Sequence, residues 1–113
     1  MIRLRPEAVD ALLVEAMHHH VHVHVVDGGY DRETAYDAFA ASFDLPEHFG
    51  RNLDALYDSL MEVATRHHGA WTLLWRPTPG SDVLEDQALL GVLGDLEHDA
   101  EQLTVAVEIA RAG

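Results

Sequence analysis

The chain has 113 residues, 48% of them apolar, and sets 20 acidic side chains against seven basic ones, for a formal charge of −13. That length suits one domain and that apolar share a packed core, so disorder is excluded, while so much negative charge repels phosphates and excludes nucleic acid and anionic membrane as direct partners. Cysteine is absent, which excludes a disulfide scaffold, a thiolate metal site and a cysteine nucleophile.

The opening Met1-Ile2-Arg3-Leu4-Arg5-Pro6 lacks the uncharged core of a signal peptide, and Glu7, Asp10 and Glu15 interrupt the only candidate. No apolar run approaches the roughly 20 residues that span a bilayer. A soluble, cytoplasmic protein is expected. Pro6 can open a short helix with Val9, Leu12, Leu13 and Ala16 on one face. His20-Val21-His22-Val23-His24-Val25-Val26 alternates strictly and runs into Asp27-Gly28-Gly29, a strand and its turn. Asp31 caps a second helix whose buried stripe is Tyr36, Phe39, Ala40 and Phe43, and Pro46 stops it. A third helix runs from about Asn52 to Arg66, ended by Gly69.

Trp71-Thr72-Leu73-Leu74-Trp75 reads as a short apolar strand, and Pro77, Pro79 and Gly80 as a loop. A further helix is expected to be capped by Ser81 or Asp82, with Leu84, Leu89, Val92, Leu93 and Leu96 inward. Gly91 and Gly94 weaken it by roughly 1 kcal/mol each relative to Ala. The run 103–109 is the last strand. Strands separated by helices imply right-handed crossovers and a parallel sheet. The expected architecture is α/β: a small three-stranded parallel sheet packed with about four helices. A short N-terminal helical extension, residues 1–19, lies on or near a domain spanning 20–113.

The third helix has two faces. Leu53, Leu56, Leu60 and Val63 form an apolar stripe, whereas Asp54, Tyr57 and Asp58 stand at i, i+3 and i+4 on another face. Two carboxylates flanking an aromatic add nothing to a core and suit a positive partner. The alternative is a solvated face, with Asp54 merely favouring the helix N-terminus.

Leu45-Pro46-Glu47, followed by Phe49-Gly50-x-Asn52-Leu53-Asp54-Ala55-Leu56-x-Asp58, resembles the barstar family of intracellular ribonuclease inhibitors. Asp27-Gly28, Leu74-Trp75-Arg76 and Leu103-Thr104-Val105 support the likeness in order, so that it spans about Val21 to Ile109. The resemblance implies a plug for the cationic site of a small, basic, secreted ribonuclease. It implies that Asp58 stands in for a substrate phosphate, with Asp54 as its acidic neighbour and His48, Gly50 and Asn52 in the contributing loop. Asp95 is the matching acid on the later helix, with Glu97 in competition. Tyr57 stands where the family usually carries Trp, and His48 where it carries Tyr. These departures leave open a different basic toxin or regulator as the target. A monomer without cofactor is expected.

His20, His22 and His24 would share one strand face, roughly 6–7 Å apart by strand rise. Imidazoles at that spacing can converge on Zn²⁺, Ni²⁺ or Cu²⁺, although adjacent strand positions rarely close a tetrahedral site alone. The other reading is a polar strand face packed under the N-terminal extension. His67-His68 reads as a surface pair at a helix end. No Gly-rich phosphate loop, nucleophile elbow or metalloprotease motif occurs, and an exposed helix offers no cleft to raise a carboxylate pKa. The sequence therefore reads as a binder and not an enzyme.

Overall fold

The computed structural model describes residues 1–46 and 49–109. Its elements are β1 (Ile2–Leu4), α1 (Pro6–His18), β2 (His22–Asp27), α2 (Arg32–Phe43), α3 (Leu53–Thr65), β3 (Trp71–Arg76), a 3-10 turn (Val83–Glu85), α4 (Gln87–Asp99) and β4 (Leu103–Glu108). The strands form one parallel sheet in the order β1-β4-β3-β2.

The sheet thus has four strands where three were expected. Ile2, Arg3 and Leu4 pair with Ala106, Val107 and Glu108, and the Ile109 N–H donates to the Leu4 carbonyl at 2.7 Å. Three residues, one of them charged, are too short to show a period of two. This strand is specified by the edge of β4 that it covers, not by its own pattern.

β3 is central and buried along Trp71–Trp75, as a parallel strand with both faces covered must be. Val26, Leu73, Trp75, Val105 and Val107 pack against α2, α3 and α4, chiefly Phe39, Leu56, Leu60, Leu89, Leu93 and Leu96. The opposite face is smaller: Val9 of α1 meets Leu74 and Ala106, with Leu4, Leu12, Leu13, Val23 and Val25 around them. The N-terminal helix therefore covers the valine side of β2, and the histidine side lies toward α2 and α3. The expectation of histidines packed under the extension is reversed.

Gly29 shows why the turn after β2 takes this composition. Its φ is +105°, strained for any L side chain, and a Cβ there would crowd the Ala35 Cα of α2 at 3.0 Å. The Trp75 indole N–H donates to the Gly28 carbonyl at 2.8 Å, tying β3 to the same turn.

Two boundaries differ from expectation. β2 begins at His22, because His20 adopts a left-handed φ of 56° and lies in the connection from α1. The last helix is capped by Asp86 and not by Ser81 or Asp82; the Asp86 carboxylate accepts from the Leu89 N–H at 3.2 Å, and Leu84 sits in the preceding 3-10 turn. Asp86 also receives two hydrogen bonds from Arg32, at 2.7 and 2.8 Å, so a single carboxylate fixes both the start of α4 and the start of α2. Among the described residues no helix is long and apolar enough to cross a membrane.

Candidate protein-docking face

The segment entering α3 is held by three neighbours in sequence. Asn52 is the N-cap: its side-chain oxygen accepts from the Ala55 N–H at 2.8 Å, and its amide donates back to the Gly50 carbonyl at 3.1 Å. Gly50 fits closely beneath that cap, since an added Cβ would lie 3.1 Å from the Ala55 Cβ and 3.2 Å from the Asn52 amide. Arg51, at a left-handed φ of 49°, turns away and pairs with Asp37 at 2.6 Å and Glu33 at 3.0 Å. The cation in this acidic stretch is thereby consumed by α2 and does not neutralise α3.

The outer face of α3 is then left to its acids. Leu56 and Leu60 are fully buried, while Asp54 and Asp58 are exposed on the other side. Asp54 lies in the first helical turn, where a negative charge also suits the helix dipole. Tyr57 is half-buried and packs against the main core, and its hydroxyl donates to Asp99 of α4. This bond raises the phenol pKa; burial and the charges of Asp99, Asp95 and Asp58 raise it further. Asp58 of α3 and Asp95 and Asp99 of α4 thus all act on the Tyr57 phenol.

Asp54, Asp58 and Asp95 make no ion pair among the described residues. Glu97 differs. One of its carboxylate oxygens accepts from the Val105 N–H at 2.7 Å and the other from the Met1 ammonium, so it is committed to the sheet. Asp95, unlike Glu97, makes no ion pair among the described residues, and the α4 acid that bonds Tyr57 is Asp99. His48 lies outside the described residues. Asp99 was missed in the sequence, although it stands four residues after Asp95 and therefore shares its helical face. A hollow of about 400 Å³ beside this face is lined by Phe43, Leu45, Phe49, Gly50, Asp58 and Val63, among others.

The histidines regroup. His22 and His24 remain on one face of β2, their ring centroids 6.0 Å apart. His20 has left the strand, and its place is taken by His67, 5.5 Å from His22. His67 is no simple surface residue: its ring stacks on Trp71 at 3.9 Å and its Nδ1 meets the Val63 carbonyl at 3.1 Å. Among the described residues no three His, Asp or Glu side chains are disposed to hold a metal ion. His20 no longer shares the strand face of His22 and His24.

A four-stranded parallel sheet with helices on both its faces defines a small α/β protein, and its adjacent helices α3 and α4 carry exposed carboxylates, Asp54, Asp58 and Asp95, that make no ion pair among the described residues. A scan against protein families matches this chain to barstar, the barnase inhibitor, over residues 19–110. The chain belongs to the barstar family, a family of inhibitors that bind barnase-like ribonucleases. A comparison with curated proteins finds no match.

Proposed function

We propose that this chain is a stoichiometric inhibitor of a small, basic, secreted bacterial ribonuclease, acting as an immunity protein in the cytosol of its host. The observation that carries the reading is the set of exposed acids without ion pairs among the described residues, Asp54 and Asp58 on α3 and Asp95 on α4. A ribonuclease site must hold a dianionic transition state and therefore concentrates positive charge. Carboxylates on a rigid helix can occupy the phosphate position and accept paired hydrogen bonds from arginine. In this reading Asp58 is the phosphate mimic, Asp54 and Asp95 flank it, and Tyr57 is the aromatic anchor. Gly50 and Asn52 shape the approach, and His48 contributes from the same stretch. The net charge of −13 steers the encounter. The inhibitor acts as a monomer, one per enzyme, without cofactor or catalysis.

The test is titration of a barnase-like ribonuclease with wild type and Asp58→Ala. Saturable one-to-one inhibition that weakens sharply in the variant supports the reading; equal inhibition by both sinks it. The tyrosine at position 57, bonded to Asp99 where the family usually carries Trp, favours a second reading on the same fold: a different basic toxin as target. Pull-down from secreted proteins, with Asp58→Ala as control, separates the two.

A further inference from the structure

The histidine hollow shares a wall with the docking face. His22, His24, His67 and His68 line it together with Phe43 and Arg66; Phe43 and Arg66 also line the hollow that reaches Gly50 and Asp58. His24 holds this wall in place. Its ring lies face to face with Phe43, centroids 3.8 Å apart, and its Nε2 meets the Ser42 carbonyl at 2.8 Å. The Ser42 hydroxyl in turn donates to the Val25 carbonyl at 2.7 Å. The last turn of α2 is therefore fastened to the edge strand β2 by one stack and two hydrogen bonds.

The titratable groups lining the hollow around His24 are all bases. β2 contributes His22, and the segment after α3 contributes His67 and His68. Arg66, the C-cap of α3, is already paired with Glu62 at 2.6 Å. α2 contributes Ser42 and Phe43 and β3 contributes Trp71, all uncharged. A carbonyl can only accept, so Nε2 of His24 carries a hydrogen and an added proton must enter at Nδ1. The resulting cation would sit among other imidazoles.

We propose that His24, flanked by His22 and His67, is an acid-sensitive latch: uncharged, it fastens the end of α2 to the sheet edge; charged, it releases Phe43 and with it the wall beside Asp58. Its regulatory meaning rests on the docking reading given above. The direction of the His24 pKa agrees: burial lowers it from 6.5, the charges of His22 and His67 lower it further, and the Ser42 carbonyl opposes them. An opened chain takes up the proton first as pH falls below 6.5, so mild acid favours opening.

Amide hydrogen exchange on the whole protein, corrected for intrinsic rates, tests this at about pH 7.5 and about pH 5.5, either side of the imidazole range. The reporter is the Leu45 N–H, bonded to the Ala40 carbonyl at 2.9 Å. In acid its exchange should quicken severalfold in the wild type. His24→Gln should abolish most of that rise, and His22→Gln with His67→Gln should reduce it should the first variant fold poorly. An equal rise in all three proteins, or none in the wild type, overturns the latch. Barnase inhibition measured at both pH values separates the two ideas. A latch that opens while barnase is inhibited at neither pH counts against barnase docking alone, and inhibition without any opening counts against the latch alone.

Discussion

The Tyr57 hydroxyl donates to the Asp99 carboxylate across the seam between α3 and α4. The bond fixes the aromatic in the middle of the acidic face and raises its phenol pKa. The sign follows directly: a group whose proton is held more tightly in the folded chain stabilises fully below its ordinary value of 10.0 and loses that contribution as pH rises through the folded value. Tyr57→Phe should therefore flatten the alkaline fall in stability and remove one late step from the phenolate absorbance titration. Tyr36, whose phenol is raised chiefly by burial, should keep its late step in the variant.

Asp58 is exposed and unpaired, so its loss should cost the free protein little. Asp58→Ala should leave the urea midpoint of the free chain unchanged and weaken binding to the cognate ribonuclease by about 100-fold or more, a magnitude established on the barnase–barstar pair itself and carried over from it. Stopped-flow binding would place most of that loss in dissociation. Raising the salt should slow association of the wild type.

Asn52 has a structural task whatever it touches in a complex. Asn52→Ala removes the acceptor for the Ala55 N–H and should destabilise the free protein by about 1 kcal/mol, as N-cap deletions do. Denaturant unfolding measures this without any partner. Gly50→Ala should push the same cap aside, because its Cβ would crowd both Ala55 and Asn52.

The helices and three of the strands could be read from the chain because each carries a period or a cap of its own. Asp31 caps α2 as its side chain suggests, α3 starts at Leu53 close to the expected Asn52, and Leu56 and Leu60 are buried as their spacing requires. What escaped reading depends on partners distant in sequence. β1 exists because β4 has an open edge, and Asp86 displaces Ser81 and Asp82 as a cap because Arg32 receives it 54 residues away. The acids Asp54 and Asp58 showed in the local pattern. Asp99 did not, because its tie to Tyr57 spans 42 residues. His67 joined the histidine strand for the same reason: only the crossover through α3 returns it beside His22.

Asp86 should set part of the acid limit of the fold. The hydrogen bonds from Arg32, the largest cause, hold its carboxyl below the ordinary 3.8, helped by the Leu89 N–H. Stability from a depressed carboxyl is complete above its ordinary value and is lost as pH falls through the folded one. Arg32→Ala should therefore raise the pH at which the protein unfolds in acid, read by far-UV circular dichroism. Asp86→Asn, which retains a capping acceptor, should shift that midpoint in the same direction while leaving α4 intact at neutral pH.

Residues 1–18 precede the family match, yet they close the second face of the sheet. Val9 is fully buried against Leu74 and Ala106, and Leu12 and Leu13 help cover Val23 and Val25. If β1 and α1 were ornamental, a chain beginning at residue 19 would unfold at the same urea concentration as the whole protein. Burial argues otherwise, because removal would expose an apolar patch on a sheet whose other face is already packed. Val9→Ala should destabilise by about 1–3 kcal/mol, a buried truncation between Ile→Val and Leu→Ala in size. The chain beginning at residue 19 should lose more and associate through the bared face in sedimentation experiments. Unchanged stability and a monomeric state in that shorter chain would assign the whole fold to the family domain alone.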